Sequence, residues 1–306
     1  MLTTKMRGNT MEIIIPYAWE GISISQLFKE KWKAPKKQAH YFRMDGKVTL
    51  QGEKIGWEIP LAAGTRLHLD LSDVPSSEIE PYYLDLSILY EDEHVLVINK
   101  PAFINTHPNT PEDTTTLLNA VACHLQSAGE GASAQQIHRL DRDTTGAILF
   151  AKHPLAGGIL DGMLERRLIK RTYVAAVCGT GLKKKDSINQ PIGRDRHHPV
   201  RRRVSDTGQP AVTHYKVLNV DRAKKLTFVA CWLETGRTHQ IRVHFSHLGY
   251  PLAGDELYGG QPLYNRQALH SAKLEFIHPI SLEPITVLAP FIDNSPIFQD
   301  INLDSL

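Results

Sequence analysis

The chain has 306 residues, a formal net charge of +2, 42% hydrophobic and 22% charged residues, which fits a globular catalytic domain with a smaller companion. No apolar run approaches the roughly 20 residues that span a bilayer, and the start lacks the apolar core and small-residue cleavage site of a secretory signal. Cys123, Cys178 and Cys231 are odd in number, far apart and without a CxxC pair, which excludes a disulfide framework and a thiolate zinc site and leaves the reduced cytoplasm as the expected setting.

In chain order, residues 12–72 read as a small unit. "ISISQLFKEKWK" carries Ile22, Ile24, Leu27, Phe28 and Trp32 at spacing compatible with a helix. "PKKQAHYFRMDGKVTLQGEKI" predicts a second short helix running into a hairpin, with turn signals at Asp45-Gly46 and Gln51-Gly52. "LAAGTRLHLDLSD" closes the unit with an alternating strand, and residues 73–83, rich in Pro, Ser and Glu, read as an acidic linker. A second unit spans 84–291. "LSILYEDEHVLVINKP" predicts two strands around an acidic turn, and "TTTLLNAVACHL" a helix with a Thr start. "GAILFAK" is a buried strand, and "HPLAGGILDGMLERRLIKR" a helix whose last turn is basic. "TYVAAVCG" and "KLTFVACWL" are strands, "RTHQIRVHFSHLG" a helix ended by Gly249, and "HSAKLEFIHP" a late strand. Short strands with a few helices between them predict the α+β class, with a mixed, mostly antiparallel sheet.

The net charge conceals asymmetry. Lys29 to Arg43 has six Lys or Arg against one acid, and Lys183 to Arg203 has eight against two, while Asp70 to Glu93 has eight acids and no Lys or Arg. Basic runs interleaved with aromatic and His residues point towards nucleic acid, although a single run is usually only solvated surface.

"HRLDRDTTG" (His138 to Gly146) concentrates charge at the start of the apolar strand. Its "DRDTT" fits a D-x-D-x-T phosphatase pattern, but there the apolar strand precedes the first aspartate, whereas here it follows, and Arg139 and Arg142 disfavour a dication. His239, His244 and His247 are spaced by five and three, not as the i, i+4 pair of a zinc helix, so no metal is expected. The remaining reading is an aspartate, Asp141, that reacts as a carboxylate and is aimed by an arginine such as Arg237 or Arg242 of "TGRTHQIRVH". A buried ion pair that merely holds a loop is the alternative.

These stretches resemble the RluA family of pseudouridine synthases. "HRLDRDTTG" is similar to that family's signature. "NKP" (Asn99 to Pro101), "KRTYVAAV" (Lys170 to Val177), "LETGRTHQIRVHFSHLGYPLAGDELYG" (Leu233 to Gly259) and "LHSAKLEFIHP" (Leu269 to Pro279) resemble its other motifs in the right order. The amino-terminal unit resembles, more weakly, the RNA-binding module of ribosomal protein S four. Its first helix begins "GISISQL" in place of an Arg-Leu-Asp start, so it reads as a degenerate form.

The resemblance implies isomerisation of uridine to pseudouridine in folded RNA, with no cofactor and no metal. It implies Asp141 as nucleophile or base, Arg242 as its ion-pair partner and Tyr173 stacked on the target base. Arg139 would fill the gap left by the flipped uridine, Ile241 would pack under the ring, and Lys100 and Arg237 would complete the substrate-binding set. Large-subunit ribosomal RNA is the favoured substrate and transfer RNA the alternative, for a monomeric bacterial enzyme without membrane contact. A non-catalytic RNA-binding protein is the rival of a different class. It would keep the basic patches without needing Asp141, Tyr173 and Arg242 together.

Overall fold

The computed structural model describes residues 2–72, 79–129, 134–294 and 296–306. Strands β1 (Thr3–Arg7), β2 (Thr10–Ile14), β3 (Val48–Leu50), β4 (Glu53–Lys54) and β5 (Arg66–Asp70) form one sheet in the order β1-β2-β5-β3-β4, every pair antiparallel. Between β2 and β3 lie α1 (Ile24–Gln26) and α2 (Lys36–Met44). The sheet starts nine residues ahead of the expected unit: β1 is an edge strand with alternating exposed and half-buried residues, and so carries no apolar signal. The single helix expected around Ile24 is instead α1, capped by Ser23, followed by a π-helical turn at Leu27–Lys31 in which the Trp32 N–H donates to the Leu27 carbonyl at 3.0 Å. The wider turn brings Leu27, Phe28 and Trp32 inward together, all at most 1% exposed. Most of the expected acidic linker, residues 73–78, lies outside the described residues.

The larger part of the chain contributes β6 (Ile88–Glu91), β7 (Val95–Lys100), β8 (Gln135–Gln136), β9 (Thr145–Ala151), β10 (Lys170–Cys178), β11 (Lys185–Asn189), β12 (Ile192–Arg194), β13 (Arg202–Val204), β14 (Val212–Asp221), β15 (Leu226–Leu233), β16 (Leu269–Ile277) and β17 (Pro284–Leu288). Its helices are α3 (Leu117–Ser127), α4 (Pro154–Glu165) and α5 (Gln240–His247). Ten strands form one sheet, ordered β11-β14-β15-β10-β16-β9-β7-β6, with β17 beside β16 and β8 beside β9; β12 and β13 pair separately as a hairpin. The only parallel pairing among the described strands is β9 with β16, so the sheet is mixed and mostly antiparallel, as expected.

Strand β9 explains why so much charge precedes an apolar run. All seven of its residues are buried. Ala147, Leu149 and Ala151 face a core shared with α4 and the amino-terminal unit, while Ile148 and Phe150 face a second core with α3 and α5. A strand covered on both faces needs no polar alternation. At its start, Gly146 has φ +107°, and a Cβ there would lie 2.3 Å from the Ser271 carbonyl oxygen, so only glycine lets β16 close on β9.

One expectation fails here. Helix α4 ends at Glu165 without a basic last turn, because Arg166 is its cap and Arg167 turns left-handed at φ 59°, sending the chain into β10.

The amino-terminal sheet is not a detached appendage. The Trp32 Nε1–H donates to the Ile280 carbonyl at 3.1 Å and the Gln38 amide to the Pro154 carbonyl at 2.7 Å. Thr4 Oγ1 lies 3.0 Å from His94 Nε2, and His94 Nδ1 lies 2.9 Å from His153 Nε2. Burial pushes His94 and His270 down to about 4, His138 to about 3, and His153 well below its ordinary value. Their folded values lie below the unfolded one, so these neutral imidazoles stabilise the fold above about pH 6.5 and lose that contribution as pH falls towards 4. Between about pH 7 and pH 5, where carboxylates remain mostly charged, unfolding free energy should drop by about 2 kcal/mol for each of His94, His138 and His270. Urea unfolding at the two pH values measures it; an unchanged midpoint would contradict the buried, neutral assignment.

Candidate active site

A cavity of about 550 Å³ opens where the loop between β8 and β9 meets the start of α5, and Asp141, Arg139, Tyr173, Arg237, Ile241 and Arg242 all line it. The structure thus brings together six of the seven residues singled out from sequence. Four points hold the Asp141 loop rigidly. Thr106 Oγ1 bonds both the N–H and the carbonyl of Leu140, at 3.2 and 2.9 Å. The Lys100 ammonium donates to the Arg142 carbonyl at 2.8 Å. The Gln267 amide donates to Thr144 Oγ1 at 3.2 Å, and Arg266, buried and paired with Asp293 at 2.7 Å, donates to Thr145 Oγ1 at 3.0 Å.

Arg242 sits on the first turns of α5, only 7% exposed. Its Nη1 donates to Asp141 Oδ2 at 3.0 Å, while Nε and Nη2 grip Asp255 Oδ2 and Oδ1 at 2.7 and 2.9 Å. Burial alone would weaken its hold on the proton, but the two carboxylates outweigh that and raise its pKa above the ordinary value. The bidentate grip on Asp255 fixes the plane of the guanidinium and hence the aim of Nη1. Among the described residues no donor reaches Asp141 Oδ1, and Asp141 lines the cavity.

Tyr173 is 4% exposed on β10, where the register shifts between Thr172 and Tyr173; burial raises its phenol, which keeps its proton. Arg139 is exposed on the rim and Ile241 is buried in the wall. Arg237 is exposed, its Nε donating to the Pro210 carbonyl at 3.1 Å and its N–H to Gln240 Oε1 at 3.0 Å. Lys100 departs from expectation. It is fully buried, does not line the cavity, and among the described residues donates only to the Pro101 and Arg142 carbonyls, at 2.8 Å. Burial, partly opposed by Asp143 and Asp141, pushes it down to about 7. It braces the loop from below and makes no surface for a substrate.

Sequence reasoning missed three members of the site. Asp255 lies within the stretch from Leu233 to Gly259 but carries no role in the sequence reading; here it holds Arg242. His239 was weighed only as a metal ligand; it lines the cavity, with Nε2 3.9 Å from Asp141 Oδ2. Tyr258, whose hydroxyl lies 2.8 Å from His239 Nδ1, gave no signal.

Next to the cavity, a groove of about 300 Å³ shares Arg237 and Thr238 with it and adds Arg194 and Arg202 of the β12–β13 hairpin. The basic run from Lys183 to Arg203 therefore folds into β11 and this hairpin.

Comparison with known proteins agrees with this geometry. A family model described as RNA pseudouridylate synthase matches residues 94–247, and one described as RluD ribosomal pseudouridine synthase N-terminal domain matches residues 11–67. The uncharacterized RNA pseudouridine synthase YhcT of Bacillus subtilis is 47% identical over 286 residues, covering 93% of this chain and 95% of the relative. The ribosomal large subunit pseudouridine synthase D of Pseudomonas aeruginosa is 41% identical over 253 residues, covering 77% of each. Among solved structures, human RNA pseudouridylate synthase domain containing 1 superposes with a TM-score of 0.57 at 25% identity, covering 71% of this chain and 86% of that one. A carboxylate held by a buried arginine in one cavity with an enclosed tyrosine accompanies these matches, which assign the chain to the RluA family of RNA pseudouridine synthases.

Proposed function

We propose that this isomerase converts specific uridines of large-subunit ribosomal RNA to pseudouridine, with Asp141 as the reacting carboxylate. The observation that carries the reading is the Asp141 carboxylate at the cavity, Oδ2 held by Arg242 at 3.0 Å and Oδ1 open. In the reaction the bond from N1 of uracil to C1′ of the ribose breaks, and one from C5 to C1′ forms. C5 loses its proton and N1 gains one, so nothing is oxidised and no cofactor enters the balance. Oδ1 is the atom free to attack the sugar, attack the ring or take a ribose proton. Tyr173 stacks on the extruded base, an interaction worth roughly 1–3 kcal/mol. Arg139, on the rim, fills the vacated stack, and Ile241 packs beneath the ring. Arg237 and the hairpin groove follow phosphates, each neutralised phosphate steepening the salt dependence.

The choice of ribosomal RNA is supported by the amino-terminal match at residues 11–67 and by relatives named for the large ribosomal subunit; transfer RNA is the alternative. The division into a small RNA-binding unit over 12–72 and a catalytic domain over 84–291 belongs to the same proposal, as does a cytoplasmic monomer. Among the described residues no helix is long and apolar enough to cross a membrane.

Unmodified ribosomal and transfer RNAs carrying tritium at uracil C5 test the reading. With EDTA present, the protein should release tritium to water from the ribosomal pool. Asp141→Asn should lower the rate by more than roughly a thousandfold while still binding RNA. Release from the transfer RNA pool alone would overturn the substrate choice, and equal release by the variant would overturn the role of Asp141. Asp255→Ala strips Arg242 of its buried counter-charge. It should cost roughly 3–5 kcal/mol of unfolding free energy and most of the activity, as read by urea titration and the same assay.

A further inference from the structure

We infer that Tyr258 and His239 are positioning residues for this reaction, a two-member relay that presents an N–H to the reacting carboxylate. The inference rests on the reading of Asp141 as the reacting group. His239 precedes α5 with φ 59° and ψ 20°, and its side chain makes no cap bond to the helix it starts. The backbone is held left-handed, yet the ring is spent on another contact. Its Nδ1 lies 2.8 Å from the Tyr258 hydroxyl, and its Nε2 faces Asp141 Oδ2 at 3.9 Å.

The direction of the Nδ1 bond follows from the carboxylate that Nε2 faces, which favours a hydrogen on that nitrogen. The Tyr258 oxygen accepts the backbone N–H of Arg202 at 2.9 Å, and among the described residues its only other hydrogen-bond partner is His239. The phenol has one proton to give and Nδ1 is the partner that can take it, provided the imidazole hydrogen sits on Nε2. Burial raises Tyr258 to about 12 and lowers His239, so the donor keeps its proton and the imidazole is neutral. A neutral imidazole that accepts at Nδ1 carries its hydrogen on Nε2, the nitrogen turned to Asp141. The other tautomer would turn a lone pair to the carboxylate instead. Arg242 and His239 then both favour negative charge on Oδ2, and Oδ1 stays open to the substrate.

Tyr258 is itself clamped. The guanidinium carbons of Arg242 and Arg201 lie over its ring at 4.9 and 5.7 Å, and Ser246 Oγ donates to its carbonyl at 2.9 Å. Arg201 adjoins β13 and Arg202 opens it, so the hairpin supplies both the ring contact and the N–H that starts the relay.

Single-turnover tritium release and filter binding of the same RNA test this with four proteins: wild type, Tyr258→Phe, His239→Asn and the double variant. Phenylalanine keeps the ring under both guanidinium groups and removes only the hydroxyl. Asparagine tolerates the left-handed backbone and removes only the ring. Tyr258→Phe should slow release by roughly tenfold, the scale of one hydrogen bond, with RNA affinity unchanged and only a small fall in melting temperature from the Arg202 N–H it leaves unpaired. His239→Asn should slow it at least as much, and the double variant no further, because the tyrosine acts only through the histidine. Wild-type rates for Tyr258→Phe, losses that multiply in the double variant, or a loss confined to RNA affinity would each overturn the relay. Asp141→Asn run alongside separates the two readings: full activity there would overturn the role of Asp141 itself.

Discussion

One guanidinium shared between two carboxylates organises this molecule. Arg242 belongs to α5, Asp141 to the loop before β9, and Asp255 to the segment that follows α5. A cation this enclosed is tolerable only with opposite charge at hand, and the bidentate grip of Asp255 supplies it through Nε and Nη2 while fixing an angle. The third donor then points one way. Lysine, a point charge on a flexible stem, would satisfy the charge without setting the direction.

The carboxylate that receives this donor is equally constrained from its own side. Its loop joins a strand buried on both faces, and four side chains from distant parts of the chain hold the loop's backbone and hydroxyl groups. Two rigid bodies, the β9 end and the α5 start, therefore meet with little freedom between them. Such a meeting suits a reaction in which a detached base must be held until it rejoins the sugar.

The parts of this arrangement that could be read in sequence are those where chemistry and spacing coincide. Asp141, Arg242 and Tyr173 lie in dense motifs, and β9 and α5 announce themselves by apolar runs and a terminal glycine. Strands β1 and β11 could not be read: β11 buries only Ile188, and β1 buries nothing fully, so charge masks their alternation. Asp255 lies in a motif, but its partner stands thirteen residues earlier and only the fold shows that the two side chains meet. Lys100 looked like a ligand-binding group because it adjoins a motif, yet carbonyl oxygens consume its donors. Tyr258 and His239 share a motif but stand 19 residues apart, and only the fold shows that their side chains meet.

The amino-terminal sheet shares one continuous core with α4, β9 and β16, running from Met11 and Trp32 to Leu149, Ile159 and Phe276. Two units that share a core do not open separately, because parting them would expose Trp32 and strand its indole N–H along with the Ile280 carbonyl. The small unit therefore has no tether-like freedom. Whatever its surface meets is held at one separation and one angle from the cavity, because a single core carries both.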